Sequence, residues 1–328
     1  MCIRDRDTIE QLSELRQKRV NRRNFLAAAG ALGAAAALAG CSDDGTVPTT
    51  TTPTSPTALV DADYLNFALN LEYLEASYYL YAATGSGLAA SSMTGTGTQG
   101  TVSGGAIVPG LTTAQQNIVN EIAFDEQQHV LFLRGALGSS AVAMPNINIG
   151  TAFNTLASAA MIASTFNPYA SFSTFLLGAF IFEDVGVTAY SGAAPLLTSS
   201  ANLNYAAGIQ AVEAYHAAYV RTTLTAMATT MGSAAFPYLG YANLVSTLRG
   251  TLGGGMETPL TALPSTPASN GQYAPSSIVA ATTANAIAFA RTTDEVLHIV
   301  YGTATGAGVK GGVFFPNGMN GNISETLS

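Results

Sequence analysis

Apolar residues recur at spacings of three and four along several long segments, which is the pattern of helices with one buried face. The first segment begins after Asp61 or Asp63, either of which can cap a helix. The second begins at Thr112 or Thr113 and continues to about Leu137. The buried-face positions are Leu65, Leu69, Glu72, Ala76, Tyr79 and Ala83 in the first segment, and Ile118, Ile122, Glu126, His129 and Leu133 in the second.

Two further core helices are predicted in the second half of the chain. One extends from about Tyr169 to Ala193, where Pro195 ends it, and the other covers about Ala201–Met231. A short alanine-rich helix is predicted around 153–163, before the first of these two, and a fifth helix at 277–300.

The segments between these helices are predicted to be loops. Glycine, serine and threonine dominate residues 85–110, and glycine, proline and threonine dominate residues 232–275. No segment shows the sustained alternation that is typical of a strand. The sequence therefore predicts an all-α protein, with four core helices, a fifth C-terminal helix and long loops.

The N-terminus, residues 1–41, is predicted to be an export signal. Basic residues precede an apolar run that ends at Cys41. Residues 22–26 (Arg-Arg-Asn-Phe-Leu) resemble a twin-arginine signal, and residues 38–41 (Leu-Ala-Gly-Cys) resemble the site at which bacterial lipoproteins are cleaved and lipidated on cysteine. An uncleaved membrane anchor is the alternative, but a spanning helix needs about 20 strongly apolar residues, and this run is shorter.

Composition supports a folded domain after the signal. Residues 42–60 are rich in Thr, Ser and Pro and are predicted to be an extended tether to a domain of residues 61–321. The chain is 48% apolar and 10% charged, with a net charge of −8 that becomes −11 when residues 1–40 are removed. Such an acidic chain argues against a nucleic-acid partner. Its only cysteines are Cys2 and Cys41, so a metal in the domain would need oxygen and nitrogen ligands.

The acidic residues and histidines of the four core helices form a repeat. Each half of the domain has a single glutamate on one helix and a Glu-x-x-His pair on the next. Residues three positions apart lie on one face of a helix, so each pair can direct a carboxylate and an imidazole into the same layer of the core. The six residues are Glu72, Glu126, His129, Glu183, Glu213 and His216.

The charges in this region do not balance. Between Tyr64 and Met231 the chain has eight Asp and Glu residues, but only Arg134 and Arg221 as cations. An uncompensated buried carboxylate costs several kcal/mol. Metal ions, protonation or solvent exposure must therefore account for the remaining acids. Two divalent cations would balance four carboxylates with neutral imidazoles.

A tyrosine follows each single glutamate by seven residues, Tyr79 after Glu72 and Tyr190 after Glu183. With residues 125–129 (Asp-Glu-Gln-Gln-His), this pattern resembles the di-metal signature of the ferritin-like superfamily. Residues 65–76, 182–190 and 212–216 and the tail Phe-Phe-Pro-Asn-Gly are similar to a branch of exported bacterial ferritin-like lipoproteins and desiccation-related proteins.

The resemblance implies roles for individual residues. The six residues of the repeat would be ligands of two metal ions, with Glu126 and Glu213 bridging them, and Fe or Mn suits this ligand set, with Zn as an alternative. Asp125 would orient His216. In the second half Val212 replaces the equivalent of Asp125, so the partner of His129 is left open between two second-shell candidates, Glu75 and Asp184.

Alternatives remain open at three places. Glu75 lies on the same helix face as Glu72 and is the second choice as ligand. Tyr79 and Tyr190 are either chemically active or packing residues. Glu295-x-x-His298 repeats the short motif outside the four core helices, and a surface or packing role is favoured for it.

Two functions are consistent with these features. The first is a di-metal oxidoreductase that oxidises ferrous iron or removes peroxide. The second is a non-enzymatic envelope protein for stress or desiccation, in which metal only stabilises the bundle. The expected partners are metal ions, a small-molecule oxidant and a membrane reached through lipidated Cys41. The expected location is the periplasm or cell envelope, and the expected assembly is a monomer or small oligomer.

Overall fold

The structure is a computed structural model and describes residues 58–232, 235–260 and 287–328. The predicted signal, Cys41, all but the last three residues of the predicted tether, and the first ten residues of the predicted fifth helix lie outside these ranges. In chain order the elements are α1 (Asp61–Thr84), β1 (Val102–Ser103), α2 (Thr113–Leu137), β2 (Ile147–Asn148), α3 (Ala152–Ala159), α4 (Phe172–Ala193), α5 (Ser200–Met231), α6 (Tyr238–Leu252) and α7 (Thr293–Tyr301).

The four core helices pack as two pairs. Helix α1 packs along α2, and α4 packs along α5, while α1 and α4 also contact each other. The prediction of an all-α four-helix bundle is confirmed, and the observed bounds of the core helices lie within three residues of the predicted ones.

Helix α4 lies at the centre of the protein. Its positions from Phe175 to Tyr190 are all buried, because it contacts α1, α5, α6 and α7. Within the described residues, one stretch, Phe172–Leu196, is apolar and long enough to cross a membrane, and 89% of its most apolar window is buried inside the protein. Its apolar composition therefore suits the core of the bundle.

The two aspartates at the start of α1 cap different helices. Asp63 accepts a hydrogen bond from the backbone N–H of Val60 at 2.8 Å and so caps α1. Asp61 instead accepts from the backbone N–H groups of Thr198 and Ser199, at the start of α5. These two bonds hold the pKa of Asp61 well below its usual range. Asp61 therefore links the start of α1 to the start of α5, while Asp63 caps α1 itself.

Three predictions of secondary structure need correction. Helix α6 lies within the segment predicted to be a loop. In the described part of the predicted fifth helix, residues 287–292 are not helical and α7 begins at Thr293, because these residues run beside α4, where the N–H of Arg291 binds the carbonyl of Thr188 at 3.0 Å. The long loop contributes a short strand, β1, which pairs in parallel with β2.

Asn320 ties the long loop to the C-terminal tail. Its side chain accepts a hydrogen bond from the N–H of Thr98 and donates to the carbonyls of Thr98 and Ala143. Its backbone exchanges bonds with the side chain of Asn70 on α1. The loop and tail together cover one side of the bundle.

Candidate metal centre

All six residues of the Glu/His repeat point into the core between the four long helices. Each core helix supplies the residues expected of it, and none of the six side chains belongs to a residue more than 7% exposed. Glu126 and His129 share one face of α2, and Glu213 and His216 share one face of α5, because residues three apart are neighbours on a helix. The set is Glu72, Glu126, His129, Glu183, Glu213 and His216.

The first group of ligand atoms surrounds the imidazole of His129. Its Nδ1 lies 3.1 Å from Oε2 of Glu72, 3.4 Å from Oε2 of Glu126 and 3.5 Å from Oε1 of Glu213. One ligand atom from each of these four residues lies within 4.8 Å of all the others, which is the spacing of a group that can hold one metal ion.

The second group surrounds His216. Its Nδ1 lies 2.8 Å from Oε1 of Glu126 and 3.6 Å from Oε2 of Glu183. Glu126 therefore belongs to both groups, with one carboxylate oxygen toward each histidine. The structure brings the predicted bridging residue Glu126 between the two groups, and it places Glu213 with the first group.

Several buried polar atoms of the centre make no hydrogen bond of acceptable geometry with any of the described residues, although some of them lie close to one another. They include both carboxylate oxygens of Glu126 and of Glu213, Oε2 of Glu183 and Nδ1 of His216. Ionised carboxylate oxygens can only accept, so another carboxylate cannot satisfy them. Buried polar groups are otherwise almost always paired. The convergence of unpaired acceptors at two adjacent points fits bound cations.

Two tyrosines cross between the halves of the bundle. Tyr79 on α1 donates a hydrogen bond to Oε1 of Glu183 on α4. Tyr190 on α4 donates to Oε1 of Glu72 on α1, at 2.5 Å. Both phenols are buried, and each leaves the other oxygen of its carboxylate facing the centre. The tyrosines therefore fix the orientation of the two terminal glutamates.

The electrostatics of the centre follow from burial and from the histidines. Burial raises the pKa of Glu72 to about 8 and raises the pKa of Glu183 well above its usual range. Burial opposes ionisation of Glu126 too, but His129 and His216 lower its pKa to about 2. Burial disfavours the charged form of His216, yet the charges of Glu183 and Glu126 raise its pKa to about 10. Bound protons on Glu72, Glu183 and His216 therefore offset the buried negative charge, and metal binding would displace these protons.

The second-shell predictions have different outcomes. Oδ2 of Asp125 lies 3.2 Å from Nε2 of His216, where the family resemblance places it. Asp184 does not take the equivalent position for His129, because it binds Arg221 and Arg249 on the other side of α4. Among the described residues, no carboxylate contacts Nε2 of His129.

Glu75 lies beside the centre, behind Glu213. A Cβ atom placed on Gly186 would lie 2.2 Å from Oε2 of Glu213 and 3.4 Å from Oε1 of Glu75. Gly186 thus makes room for both carboxylates against the backbone of α4. Sequence reasoning missed this glycine; the signal was its position three residues after Glu183, in the middle of a helix where glycine is unfavourable.

The third Glu-x-x-His motif has a structural role. Glu295 caps α7 by accepting hydrogen bonds from the backbone N–H and the hydroxyl of Thr292. Nδ1 of His298 lies 2.7 Å from the carbonyl oxygen of Thr303, to which it donates. Neither residue belongs to the two buried groups. These contacts agree with the favoured packing role.

A four-helix bundle with two buried carboxylate–histidine groups that share one glutamate defines the class of this protein. The family model of the ferritin-like domain matches residues 60–226. The chain belongs to the ferritin-like domain family.

The chain is also similar to two curated relatives. The chain is 29% identical over 274 residues to the ferritin-like catalase Nec2 of Nesocodon mauritianus, covering 81% of this chain and 85% of the relative. It is 30% identical over 208 residues to the desiccation-related protein PCC13-62 of Craterostigma plantagineum, covering 59% of this chain and 62% of the relative. No solved structure matches the chain significantly.

Proposed function

We propose that this protein is an exported ferritin-like enzyme that binds two iron or manganese ions in its core and removes hydrogen peroxide by disproportionation. Zinc binds the same kinds of ligand but has no redox couple. The name of one relative, a ferritin-like catalase, supports peroxide as the substrate.

The observation that carries the proposal is the shared position of Glu126. Its two unpaired oxygens face two separate groups of buried ligands, so one side chain can join two cations. Four carboxylates and two neutral imidazoles balance two divalent ions. Oxygen and imidazole ligands suit iron and manganese.

The reaction balances without another reactant. One hydrogen peroxide loses two electrons and two protons to become dioxygen, and a second gains them to become two water molecules. Two bound iron or manganese ions would supply the redox couple between these half-reactions. The protein's own contribution is geometric. Tyr79 and Tyr190 orient the terminal glutamates, Asp125 orients His216, and the surrounding helices exclude bulk water.

The first test is metal analysis of the purified protein beside the double variant Glu126→Ala/His129→Ala. We expect about two iron or manganese ions per chain in the natural sequence, as in two-metal centres generally. The variant removes the shared carboxylate and one imidazole, so both metal content and oxygen release from peroxide should fall to background. Glu121→Gln, an exposed change on the same helix, is the matched control and should retain both.

The same samples separate two substrates. Oxygen release from peroxide supports the proposal, whereas consumption of ferrous iron with no oxygen release would replace peroxide removal with ferrous iron oxidation. A protein that binds no metal in either form would contradict the enzyme assignment.

The second candidate function is non-enzymatic. Similarity to a desiccation-related protein favours an envelope protein whose bundle is stabilised by metal. In that case Glu126→Ala/His129→Ala would lower the free energy of unfolding, and the natural protein would show no turnover although it binds metal.

We also propose that the chain is exported by the twin-arginine route and anchored to the membrane through lipidated Cys41, as a monomer or small oligomer. That route carries folded proteins, so metal can be loaded before export. Changing Arg22 and Arg23 to lysine should leave the protein in the cytoplasm, as cell fractionation would show. Lysine at Arg16 and Arg19 is the control and should be exported. Normal export of the first variant with unchanged metal would contradict this route.

A further inference from the structure

Two adjacent apolar spaces lie beside α4 and α7. The outer space lies between α3, α4, α6 and α7. The inner space lies between α1, α4, α7 and the C-terminal tail. Apolar side chains form nearly all of both linings, with Arg249 at the edge of the outer space and Glu75 at the inner one.

The two spaces meet at a pair of isoleucines. Ile181 on α4 and Ile299 on α7 line both of them, so these two side chains form the partition between the outer and inner spaces. They are 7% and 2% exposed. Rotation of either isoleucine side chain would open the partition.

The inner space reaches two residues that lie next to the metal centre, although none of the six candidate ligands lines it. Glu75 and Gly186 line it, and the missing side chain of Gly186 leaves the α4 backbone directly against Oε2 of Glu213. Gly186 therefore connects this space with the carboxylate of a candidate ligand.

The chemistry of the lining selects what can occupy these spaces. Water needs two to four polar partners, and apolar cavities in proteins stay dry yet accept apolar molecules such as xenon. Dioxygen is apolar and has two heavy atoms, whereas peroxide donates and accepts hydrogen bonds. Each space has room for about one small molecule, which suits dioxygen and not a larger substrate.

We infer that these two spaces form a path for dioxygen between the metal centre and the surface, with Ile181 and Ile299 as its constriction. This inference rests on the proposed function, in which dioxygen is the product. Peroxide would enter on a different side, between α2 and α5, where the side chain of Asp125 is 30% exposed beside His216. Separate routes would let the apolar product leave without meeting the incoming polar substrate.

The test uses crystals of the purified protein pressurised with xenon. Xenon should occupy the inner space beside Val185 and Gly186, and the outer space beside Leu177. In Ile299→Trp the indole fills the partition, so inner xenon should disappear, metal content should stay unchanged, and the initial rate of oxygen release should fall severalfold. Leu327→Trp, at an exposed position that lines neither space, is the control and should change neither inner xenon nor the rate.

A second variant tests the path even when Ile299→Trp does not fold. Ile299→Ala widens the partition and should increase xenon occupancy of the inner space. Absence of xenon from the inner space of the natural protein would overturn the path, whatever the activity. Xenon in both spaces of a protein without metal or turnover would support the path as a gas site and overturn the proposed function, so the two failures are distinguishable.

Discussion

Replacement of Asp184 by alanine should destabilise the protein by about 3–5 kcal/mol, the usual cost of removing one partner from a buried ion pair. Oδ2 of Asp184 accepts from Arg221 at 2.6 Å and from Arg249 at 2.7 Å. Both arginines are at most 2% exposed. Without the carboxylate, two guanidinium groups would remain buried with much of their compensating charge gone.

The rest of the network cannot replace Asp184. Glu257 accepts from Arg249 at 2.8 Å and from Arg291 at 2.6 Å, so its carboxylate is already shared. Among the described residues, the network joins α4, α5 and α6 to the segment before α7 and contains three arginines and two carboxylates. Because the arginines outnumber the acids, losing one acid leaves three cations facing one anion.

Urea unfolding of Asp184→Ala beside Glu325→Ala measures this effect. Glu325 pairs with Lys310 at 3.0 Å, and both side chains are largely exposed, so the same chemical change there should cost about 0–1 kcal/mol. Equal midpoints for the two variants would show that the buried network contributes nothing beyond a surface ion pair. Metal content reports whether neighbouring Glu183 is disturbed.

The bundle could be predicted because its signals are local. The spacing of apolar positions gave α1, α2, α4 and α5, and the spacing within each Glu-x-x-His pair placed its two side chains on one face. Helix α6 was missed because its segment is rich in glycine and threonine, although Ala242, Val245, Arg249 and Leu252 follow the helical spacing and are buried.

One of the two described partners of Asp184, Arg249, could not be predicted from the four core helices alone. Counting cations between Tyr64 and Met231 found Arg134 and Arg221, but Arg249 and Arg291 reach the core from later segments. Long-range contacts of this kind have no local sequence signal. The same limit left Asp184 as a candidate partner of His129, although it faces away from that residue.

The two halves of the sequence are more alike than the two ligand groups in the structure. The repeat gave each half of the domain the same ligand types, and the family resemblance implied that Glu126 and Glu213 both bridge the metals. In the structure Glu126 belongs to both groups and Glu213 to the first. The position of Glu213 depends on the backbone of α4 at Gly186, which is a contact between helices and not a property of either motif.

Replacement of Gly186 by alanine should greatly weaken metal binding while the bundle stays folded. The new Cβ would lie 2.2 Å from Oε2 of Glu213, much closer than real Cβ contacts allow. The carboxylate is the end of a flexible side chain, so it can move, but it then leaves its place 3.5 Å from Nδ1 of His129. Loss of a residue that supports a ligand typically costs on the order of 10–100-fold in metal affinity, and displacement of the ligand itself should cost at least as much. Titration of the apoprotein with ferrous iron or manganese under anaerobic conditions measures this loss.

Gly208→Ala provides the matched control, because Gly208 lies on the exposed face of α5 and an added Cβ there meets no atom within 4 Å. Alanine in an open helix interior stabilises by about 0.5–1 kcal/mol relative to glycine, so this variant should unfold at a higher urea concentration and bind metal normally. Gly186→Ala gains the same backbone preference, so its free energy of unfolding combines that gain with the cost of moving Glu213. A variant that keeps its unfolding midpoint but loses metal would show that Gly186 serves the centre. Unchanged metal affinity in Gly186→Ala would contradict the role of Glu213 as a ligand, because its carboxylate cannot remain where the structure places it.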